Sequence, residues 1–368
     1  MDIEKVGKAI AYLRKRAGYT QKELADRVGI SDKAVSKWER GQGLPEIGYL
    51  RKLSILLDTD SDSLLAGDVA HQKTDWLGII VLDENLHGIG AGTMIYDKPL
   101  INFLLSYFLL VGIKDIYIAC TQDDESYIRK TVGTGFDYGI SITLIVGGLH
   151  NVYETMIKDS HLKDSGSRDQ NNSVKTMGNI MLVYGRCILY GVDQTRFFQK
   201  AMIDREHLIM LVLPKKMQKK PISIDVDKRI VNDKTKDSER LRTQYDFSEI
   251  PILFFPASFL KSIAEAPSIT AYIDEQKKQE NMFVETLDRG FVEIEVDNWN
   301  NVHEASTFMR IVQDKCGMNV YCLEEVAWRR GFISLTKLKE LGERRKYTEY
   351  GDYVLGLYER MNERIVEK

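Results

Sequence analysis

Two kinds of hydrophobic periodicity divide the chain. In the N-terminal part, apolar residues recur at three- and four-residue steps, as in the stripe Ile3, Val6, Ile10 and Leu13, which is the spacing of the buried face of a helix. From Trp76 onward, short continuous apolar runs such as LGIIVL, DIYIAC and ISITLIV alternate with helical patterns. Strands that alternate with helices are typical of a mostly parallel sheet covered by helices.

Capping residues mark the predicted helix boundaries in the N-terminal part. Thr20 is followed three positions later by a glutamate, the spacing of a capping box at the start of the helix TQKELADRVG. Gly29 supplies a turn, and Ser31 caps a third helix, SDKAVSKWERG. Two further helices are predicted, one after Pro45 and a short one near Ser61–Leu65.

Charge is distributed unevenly although the net charge of the 368 residues is only −3. Residues 1–52 carry 12 Lys and Arg against 7 Asp and Glu, a net charge of +5, so the other 316 residues carry −8. A basic head on an acidic body indicates one small module that contacts nucleic acid. The four cysteines lack zinc-like or CxxC spacing, and neither a signal peptide nor a membrane-length apolar run is visible, so we expect a cytoplasmic protein with reduced thiols.

The segment TQKELADRVGISDKAVSKWERGQGLPEIGYLRKLSILLDTDSDSLL resembles the phage-repressor (Cro/XRE-like) helix-turn-helix family. In that family the third helix enters the major groove of DNA. The resemblance implies that Asp32, Lys33 and Lys37 face base edges, whereas the neighbouring polar side chains hold phosphates. The residues expected to bind DNA are Gln21, Ser31, Asp32, Lys33, Ser36, Lys37, Arg40 and Gln42.

The second part of the chain resembles sugar-1-phosphate nucleotidyltransferases, in particular glucose-1-phosphate thymidylyltransferases. The matching stretches include YDKPLINFLLSYFLLVGIKDIYIA, LVYGRCILYGVD, RGFVEIEVDN and HEASTFMRIVQDKCGMNVYCLEEVAWRRGFI. We therefore predict a multidomain chain. An all-α helix-turn-helix domain spans residues 1–67, a linker spans 68–75, and an α/β, Rossmann-like domain with a mostly parallel sheet spans 76–368.

The catalytic residues that the resemblance implies are largely missing. After the first strand comes DENLHGIGAGTMIYDKP, which is shorter than the family's glycine-rich loop and lacks its basic residues. The family's metal-binding Asp follows a glycine, but here Arg186 follows Gly185, and a cation cannot hold Mg²⁺. The second metal ligand falls at Glu295, and the glutamine expected after the third strand falls at Gly147. We therefore expect no transferase activity and no cofactor, with Mg²⁺ required only if transfer survives.

An inactive domain of this kind can still bind a ligand. Gly88, Gly90, Arg186 and Glu295 are the candidate ligand-binding residues, because Arg186 can pair with a diphosphate in place of the metal. Alternatively, Arg186 pairs with Glu295 and only fills the former site. The sequence predicts a transcriptional regulator, a homodimer or tetramer without membrane contact, that binds an inverted repeat in double-stranded DNA and a nucleotide or nucleotide-sugar effector. Two alternatives stay open: an active sugar nucleotidyltransferase with a DNA-binding head, and an architectural protein without a ligand.

Overall fold

Two structural units make up the chain in this computed structural model: Met1–Lys73 and Thr74–Lys368. The structure describes residues 2–16, 19–57, 64–65, 67, 75–82, 88–163, 178–215, 223–225, 230–232 and 246–366. The predicted linker, residues 68–75, lies outside the described residues apart from Asp75. Residues 164–177 lie wholly outside the described part of the chain, and residues 216–245 do so apart from 223–225 and 230–232.

The first unit is all-α, as predicted. Its helices are α1 (Ile3–Arg16), α2 (Gln21–Val28), α3 (Asp32–Glu39) and α4 (Ile47–Leu57). Of the fifth helix predicted near Ser61–Leu65, only Leu64 and Leu65 are described, and both are helical. Val6, Ile10 and Leu13 of the stripe predicted for α1 are buried, whereas Ile3, the first residue of the helix, is 42% exposed.

Helix α1 packs very closely against the end of α3. A Cβ atom on Gly7 would lie 2.2 Å from the Trp38 carbonyl oxygen and 2.9 Å from the Gly41 amide nitrogen. A side chain at Gly7 would therefore push the two helices apart, because real Cβ contacts are not this short. This glycine fixes the position of α3 within the unit.

The second unit is an α/β domain built on a nine-stranded sheet. Its strand order is β5-β4-β1-β6-β11-β8-β12-β10-β9. The strands are β1 (Trp76–Leu82), β2 (Met94–Ile95), β3 (Lys98–Pro99), β4 (Asp115–Cys120), β5 (Ser141–Val146), β6 (Asn179–Tyr184), β7 (Cys187–Tyr190), β8 (Leu208–Lys215), β9 (Ser223–Asp225), β10 (Ile230–Asn232), β11 (Asp246–Pro256), β12 (Met282–Thr286) and β13 (Val292–Glu295). The run β5-β4-β1-β6 is parallel, as is β8 with β12. The predicted α/β organisation is confirmed, with antiparallel β11 inserted between the parallel groups.

Helices cover the sheet. They are α5 (Leu100–Leu110), α6 (Gln122–Thr131), α7 (Leu149–Lys163), α8 (Gln194–Ala201), α9 (Leu260–Glu265), α10 (Ile269–Lys278), α11 (Trp299–Cys316), α12 (Leu323–Arg329), α13 (Leu335–Arg344) and α14 (Glu349–Val366). Residues Leu100–Leu109 of α5 are all buried, which explains why this helix is hydrophobic on every side. It lies between the sheet and the C-terminal helices, where α12 contacts it.

A buried polar network joins the β2–β3 hairpin to the C-terminal helices. Lys98 is fully buried, and its Nζ lies 2.5 Å from Asp97 Oδ1 and 2.8 Å from Gln313 Oε1. Near it, the Tyr350 hydroxyl of α14 donates to the buried Glu324 of α12. The C-terminal helices therefore pack against their own domain.

None of the helices in the described ranges is both long and apolar enough to cross a membrane. All four cysteines lie in the described part of the chain, and none forms a disulfide.

Candidate nucleic-acid interface and ligand cavity

The turn between α2 and α3 is built by local sequence signals. At the start of α2, Thr20 Oγ1 accepts from the Glu23 amide at 3.2 Å, and Glu23 accepts from the Thr20 amide at 2.7 Å. The Thr20 amide and the Thr20 hydroxyl both donate to the Glu23 carboxylate, and these two hydrogen bonds lower its pKa. Gly29 ends α2 in the left-handed region with φ 86°, where a residue with a side chain is disfavoured. The chain can therefore turn sharply into α3.

Polar residues from both sides of this turn share one concave surface. The cavity it encloses is about 540 Å³, and its lining residues are Gln21, Asp32, Lys33, Ser36, Lys37, Arg40 and Gln42. Seven of the eight residues predicted to bind DNA thus lie together. The eighth, Ser31, lies outside the lining, and its hydroxyl accepts from the Ala34 amide at 3.3 Å to cap α3.

The electrostatics of this concave surface suit a polyanion. Three of its side chains, Lys33, Lys37 and Arg40, are cationic and exposed, against the single carboxylate of Asp32. The Lys37 stem lies along the loop after α3, since a Cβ atom on Gly43 would sit 3.5 Å from Lys37 Cε. Arg40 Nε donates to the Ser36 carbonyl at 3.2 Å. Such groups can hold phosphates and donate to acceptor atoms of bases.

A buried network behind the surface fixes its geometry. Arg14 of α1 donates to both carboxylate oxygens of Glu39, at 2.5 Å and 3.1 Å. The same carboxylate accepts from Gln21 Nε2 at 2.6 Å, and Arg14 also donates to the Tyr19 carbonyl at 2.6 Å. One ion pair thus ties α1, α2 and α3 together and holds Gln21 in place. Sequence analysis missed it, because Arg14 and Glu39 are 25 positions apart and no local pattern connects them.

The second unit has a cavity of about 360 Å³. It lies where β1 and β6 end. In the sheet, β4 and β5 lie on one side of β1, and β6 lies on the other side. Ligands of open α/β sheets bind at the carboxyl ends of the strands where the strand order reverses in this way. Its lining residues are Val81, Leu82, Gly148, Leu149, His150, Tyr184, Gly185, Arg186, Ile263, Ala264, Ala266, Pro267, Ser268, Ile269 and Thr270.

Arg186 supplies the cationic group in this lining. The chain leaves β6 through Gly185 at φ 78°, and Arg186, only 6% exposed, follows directly. Burial raises the pKa of the neighbouring Tyr184 hydroxyl, so this group is neutral and can donate. Magnesium prefers carboxylate oxygens, but the described lining holds none. The residues present therefore do not fit a magnesium ion.

Glu295 lies close to Arg186 in the backbone but outside the lining of this cavity. It ends β13 opposite Cys187 in the ladder with β7, and the Val296 amide donates to the Arg186 carbonyl at 2.6 Å. The backbones of Arg186 and Glu295 are therefore close. The Glu295 side chain, however, is exposed and lies outside the cavity lining.

Gly90 and Ala91, in the described part of the loop after β1, contact Asp124. Gly88 is exposed, whereas Gly90 packs so tightly that a Cβ atom on it would lie 2.4 Å from Asp124 Oδ1. The same oxygen accepts from the Ala91 amide at 2.6 Å. Asp124 belongs to α6 and is itself buried. In this loop the buried carboxylate takes the amide hydrogen bond that a phosphate would take in a nucleotide-binding loop. Neither Gly88 nor Gly90 lines the cavity with Arg186.

Comparison with known proteins agrees with the division into two parts. The helix-turn-helix family model HTH_3 matches residues 10–64. A glucose-1-phosphate thymidylyltransferase from Neisseria meningitidis serogroup A is 26% identical over 276 residues, which cover 72% of this chain and 90% of the relative. One from Mycolicibacterium smegmatis is 24% identical over 281 residues, with 72% and 90% covered. A solved structure from Bacillus anthracis, assigned to the same class of enzyme and holding a sucrose, is 13% identical, with a TM-score of 0.48 over 64% of this chain and 95% of that one.

The chain therefore combines a helical DNA-binding module with an α/β nucleotidyltransferase-like domain. More particularly, residues 10–64 are a helix-turn-helix domain of the Cro/XRE type, and the C-terminal region is homologous to glucose-1-phosphate thymidylyltransferases. Both resemblances drawn from the sequence are confirmed.

Proposed function

We propose that this protein is a sequence-specific transcriptional regulator whose transferase-like domain binds a nucleotide or nucleotide sugar as effector and does not transfer it. The observation that carries the DNA-binding part is the concave surface of α3, with three cations and four further polar side chains on one face. An inverted repeat suits a protein that binds DNA as at least a dimer, because two-fold symmetry in the protein mirrors two half-sites.

On this surface we assign base contacts to the exposed start and middle of α3. Lys33 and Lys37 can donate to guanine acceptors, and Asp32 can accept from a cytosine amino group. Gln21, held by Glu39, lies at the N-terminus of α2, a position suited to a phosphate. Ser36, Arg40 and Gln42 are assigned to phosphates too.

Loss of transfer is supported by two features of the second unit. The Ala91 amide is already bonded to Asp124, so this amide of the glycine loop is not available to a triphosphate. A guanidinium lies in the cavity where the homologous enzymes are expected to place a metal-binding carboxylate. Nucleotidyl transfer relies on metal ions as well as cationic side chains to neutralise the developing phosphate charge, and a guanidinium cannot ligate such an ion.

The DNA-binding proposal is tested by selecting duplexes from a random library with the full chain and then measuring affinities by fluorescence anisotropy. Lys37→Ala should weaken binding to the selected duplex by about 1–3 kcal/mol and relax the preference at one base pair. Lys8→Ala, an exposed lysine of α1 outside the concave surface, is the control and should leave the preference unchanged. Equal loss on every duplex would reassign Lys37 to a phosphate.

Retained transferase activity is the second candidate, favoured by the similarity over 90% of the meningococcal enzyme. It predicts release of pyrophosphate from a nucleoside triphosphate and glucose-1-phosphate in the presence of Mg²⁺, whereas the regulator proposal predicts none. If the role of this domain is purely architectural, no nucleotide or nucleotide sugar should stabilise the protein in a thermal-shift screen. A true effector at 100 times its Kd adds about 2.7 kcal/mol.

A further inference from the structure

The polar side chains of α3 in the concave surface form two adjacent rows. Asp32 and Ser36 lie one helical turn apart, and so do Lys33 and Lys37. Residues four positions apart lie on the same face of a helix, so the two rows can enter one groove of a duplex together. A recognition helix of this kind enters the major groove.

The protein leaves the charged groups of these rows available to a ligand. Lys33 and Lys37 are exposed, and neither ammonium has a hydrogen-bond or ion-pair partner among the described residues. Their like charges, four positions apart, repel each other in the free protein. Asp32 is exposed as well, and its Oδ1 accepts from the Lys33 amide at 2.8 Å. This hydrogen bond holds the carboxylate at the start of α3.

Each of these three groups can only donate or only accept hydrogen bonds, and this property selects among bases. An ammonium has donors alone, and a carboxylate has acceptors alone. In the major groove guanine shows two adjacent acceptors, whereas adenine shows an acceptor beside a donor. Lys33 and Lys37 therefore fit guanine better than adenine. Cytosine shows an amino donor without an acceptor beside it, so Asp32 fits cytosine.

The surface is poorly equipped to read A·T pairs. Adenine is read by an amide that donates and accepts at once, and thymine by apolar contact with its methyl group. Gln21 has such an amide, but its Nε2 donates to Glu39 at 2.6 Å. Gln42 lies two residues after Arg40, the C-cap of α3, and thus at the end of the helix opposite Asp32. Among the described residues that line the surface, none has an apolar side chain.

We infer that α3 specifies its half-sites through G·C pairs, and that methylation of the cytosine read by Asp32 weakens binding. The inference rests on the proposed function, because it names the base pairs that the regulator reads. One amino hydrogen of cytosine pairs with guanine, so the free one lies on the side of ring carbon C5. An acceptor at that hydrogen therefore lies beside C5. A methyl group there crowds the Asp32 carboxylate and displaces water from it, and such loss of water around a charge is costly.

Asp32→Asn tests the cytosine contact with a side chain of nearly the same size. The amide keeps an oxygen for the Lys33 amide, but it can also donate, which suits adenine. When the library selection is repeated with the full-length variant, one C·G pair in each half-site should change to A·T, with a preference of about tenfold. Asp26→Asn, at an exposed position of α2 outside the lining, is the matched control and should select the wild-type site.

Modified duplexes test the same contacts with the wild-type protein, by fluorescence anisotropy. 7-Deazaguanine lacks the N7 acceptor, and at one or more guanines of each half-site it should weaken binding about fivefold or more. 5-Methylcytosine should weaken binding by a similar factor at one cytosine of each half-site, and Asp32→Ala should remove this effect. Deoxyuridine in place of thymine removes only the methyl group and should leave the affinity nearly unchanged.

Any of four results would overturn the inference: half-sites made of A·T pairs, the wild-type site selected by the Asp32→Asn protein, unchanged affinity for every 7-deazaguanine duplex, or equal or tighter binding of every 5-methylcytosine duplex. A loss of about tenfold or more on deoxyuridine would also overturn it, because the thymine methyl would then be read. If the selected duplex is preferred and these tests fail, the regulator proposal stands and only the base assignment falls. Equal affinity for the selected duplex and an unrelated one would instead refute the regulator proposal.

Discussion

The buried ion pair behind the DNA-binding surface gives a quantitative prediction. Arg14 and Glu39 side chains are only 10% and 7% exposed. Arg14→Ala removes both hydrogen bonds to Glu39 and leaves that carboxylate buried, with Gln21 as its remaining neighbour in the network. Leaving one partner of a buried pair uncompensated costs about 3–5 kcal/mol. Since the pair joins three helices, the loss should fall on the whole first unit.

Hydrogen exchange of the full chain, followed by mass spectrometry, measures this loss segment by segment. In α1 to α3, the slowest amides should exchange about a hundredfold to several thousandfold faster, since each 1.4 kcal/mol is about a tenfold change. Helices of the second unit should keep their protection. Binding to the selected duplex should weaken together with the loss of protection.

Lys8→Ala is the matched control, because it also breaks an ion pair of α1. Lys8 Nζ lies 2.8 Å from Glu4 Oε1, but the two side chains are 73% and 71% exposed, and exposed pairs contribute little. Its exchange should match the wild type. Unchanged protection in the Arg14→Ala protein, or equal losses in both variants, would refute the argument that burial of the Arg14–Glu39 pair holds the unit together.

Two further predictions concern the second unit. Asp124→Ala should lower the free energy of unfolding by about 1–3 kcal/mol and speed hydrogen exchange at residues 88–93, because the buried Ala91 amide loses its acceptor. Asp123→Ala, at the exposed neighbouring position, is the control. Unchanged hydrogen exchange at residues 88–93 in the Asp124→Ala protein would contradict this role of Asp124. The free energy of unfolding should also fall as pH rises from 9 to 12, because burial raises the pKa of the Cys120 thiol from 9.0 to about 12. Between pH 9 and pH 12 the thiol stays protonated in the folded chain but ionises in the unfolded chain. Its contribution to the free energy of unfolding is therefore complete below pH 9 and is lost as the pH rises to about 12. Chemical denaturation at several pH values gives the slope of the free energy of unfolding against pH, and this slope should be smaller for Cys120→Ala than for wild type. Cys316→Ala, at an exposed cysteine, is the control and should match wild type. Identical slopes in all three proteins would exclude this role of Cys120.

Features encoded within a few residues could be predicted from the sequence. Thr20, Gly29 and Ser31 act at the helix ends where the spacing of polar and apolar residues places them. The predicted strands of the second unit appear in the sheet for the same reason, since a buried strand is a short apolar run. Seven of the predicted DNA-contacting residues also share one surface, because six of them lie on α3 or directly after it and the seventh, Gln21, begins α2.

Features that depend on distant pairs could not be predicted in this way. The contact between Ala91 and Asp124 spans 33 positions, so no local pattern could predict that Asp124 of α6 lies against Gly90 and Ala91. The first turn of α10 likewise lines the same cavity as Arg186, although the two segments are far apart in the sequence. Local patterns specify elements and their caps, whereas the partner of a buried polar group is set by tertiary packing.

Competition between two duplexes tests the central claim most directly. The full chain is titrated at about 0.15 M salt with its selected inverted-repeat duplex in the presence of an unrelated duplex of equal length. A sequence-specific regulator should prefer the selected duplex by about 10³-fold or more and protect two half-sites about one helical turn apart in a footprint. Equal affinity for both duplexes, without a defined footprint, would contradict the account.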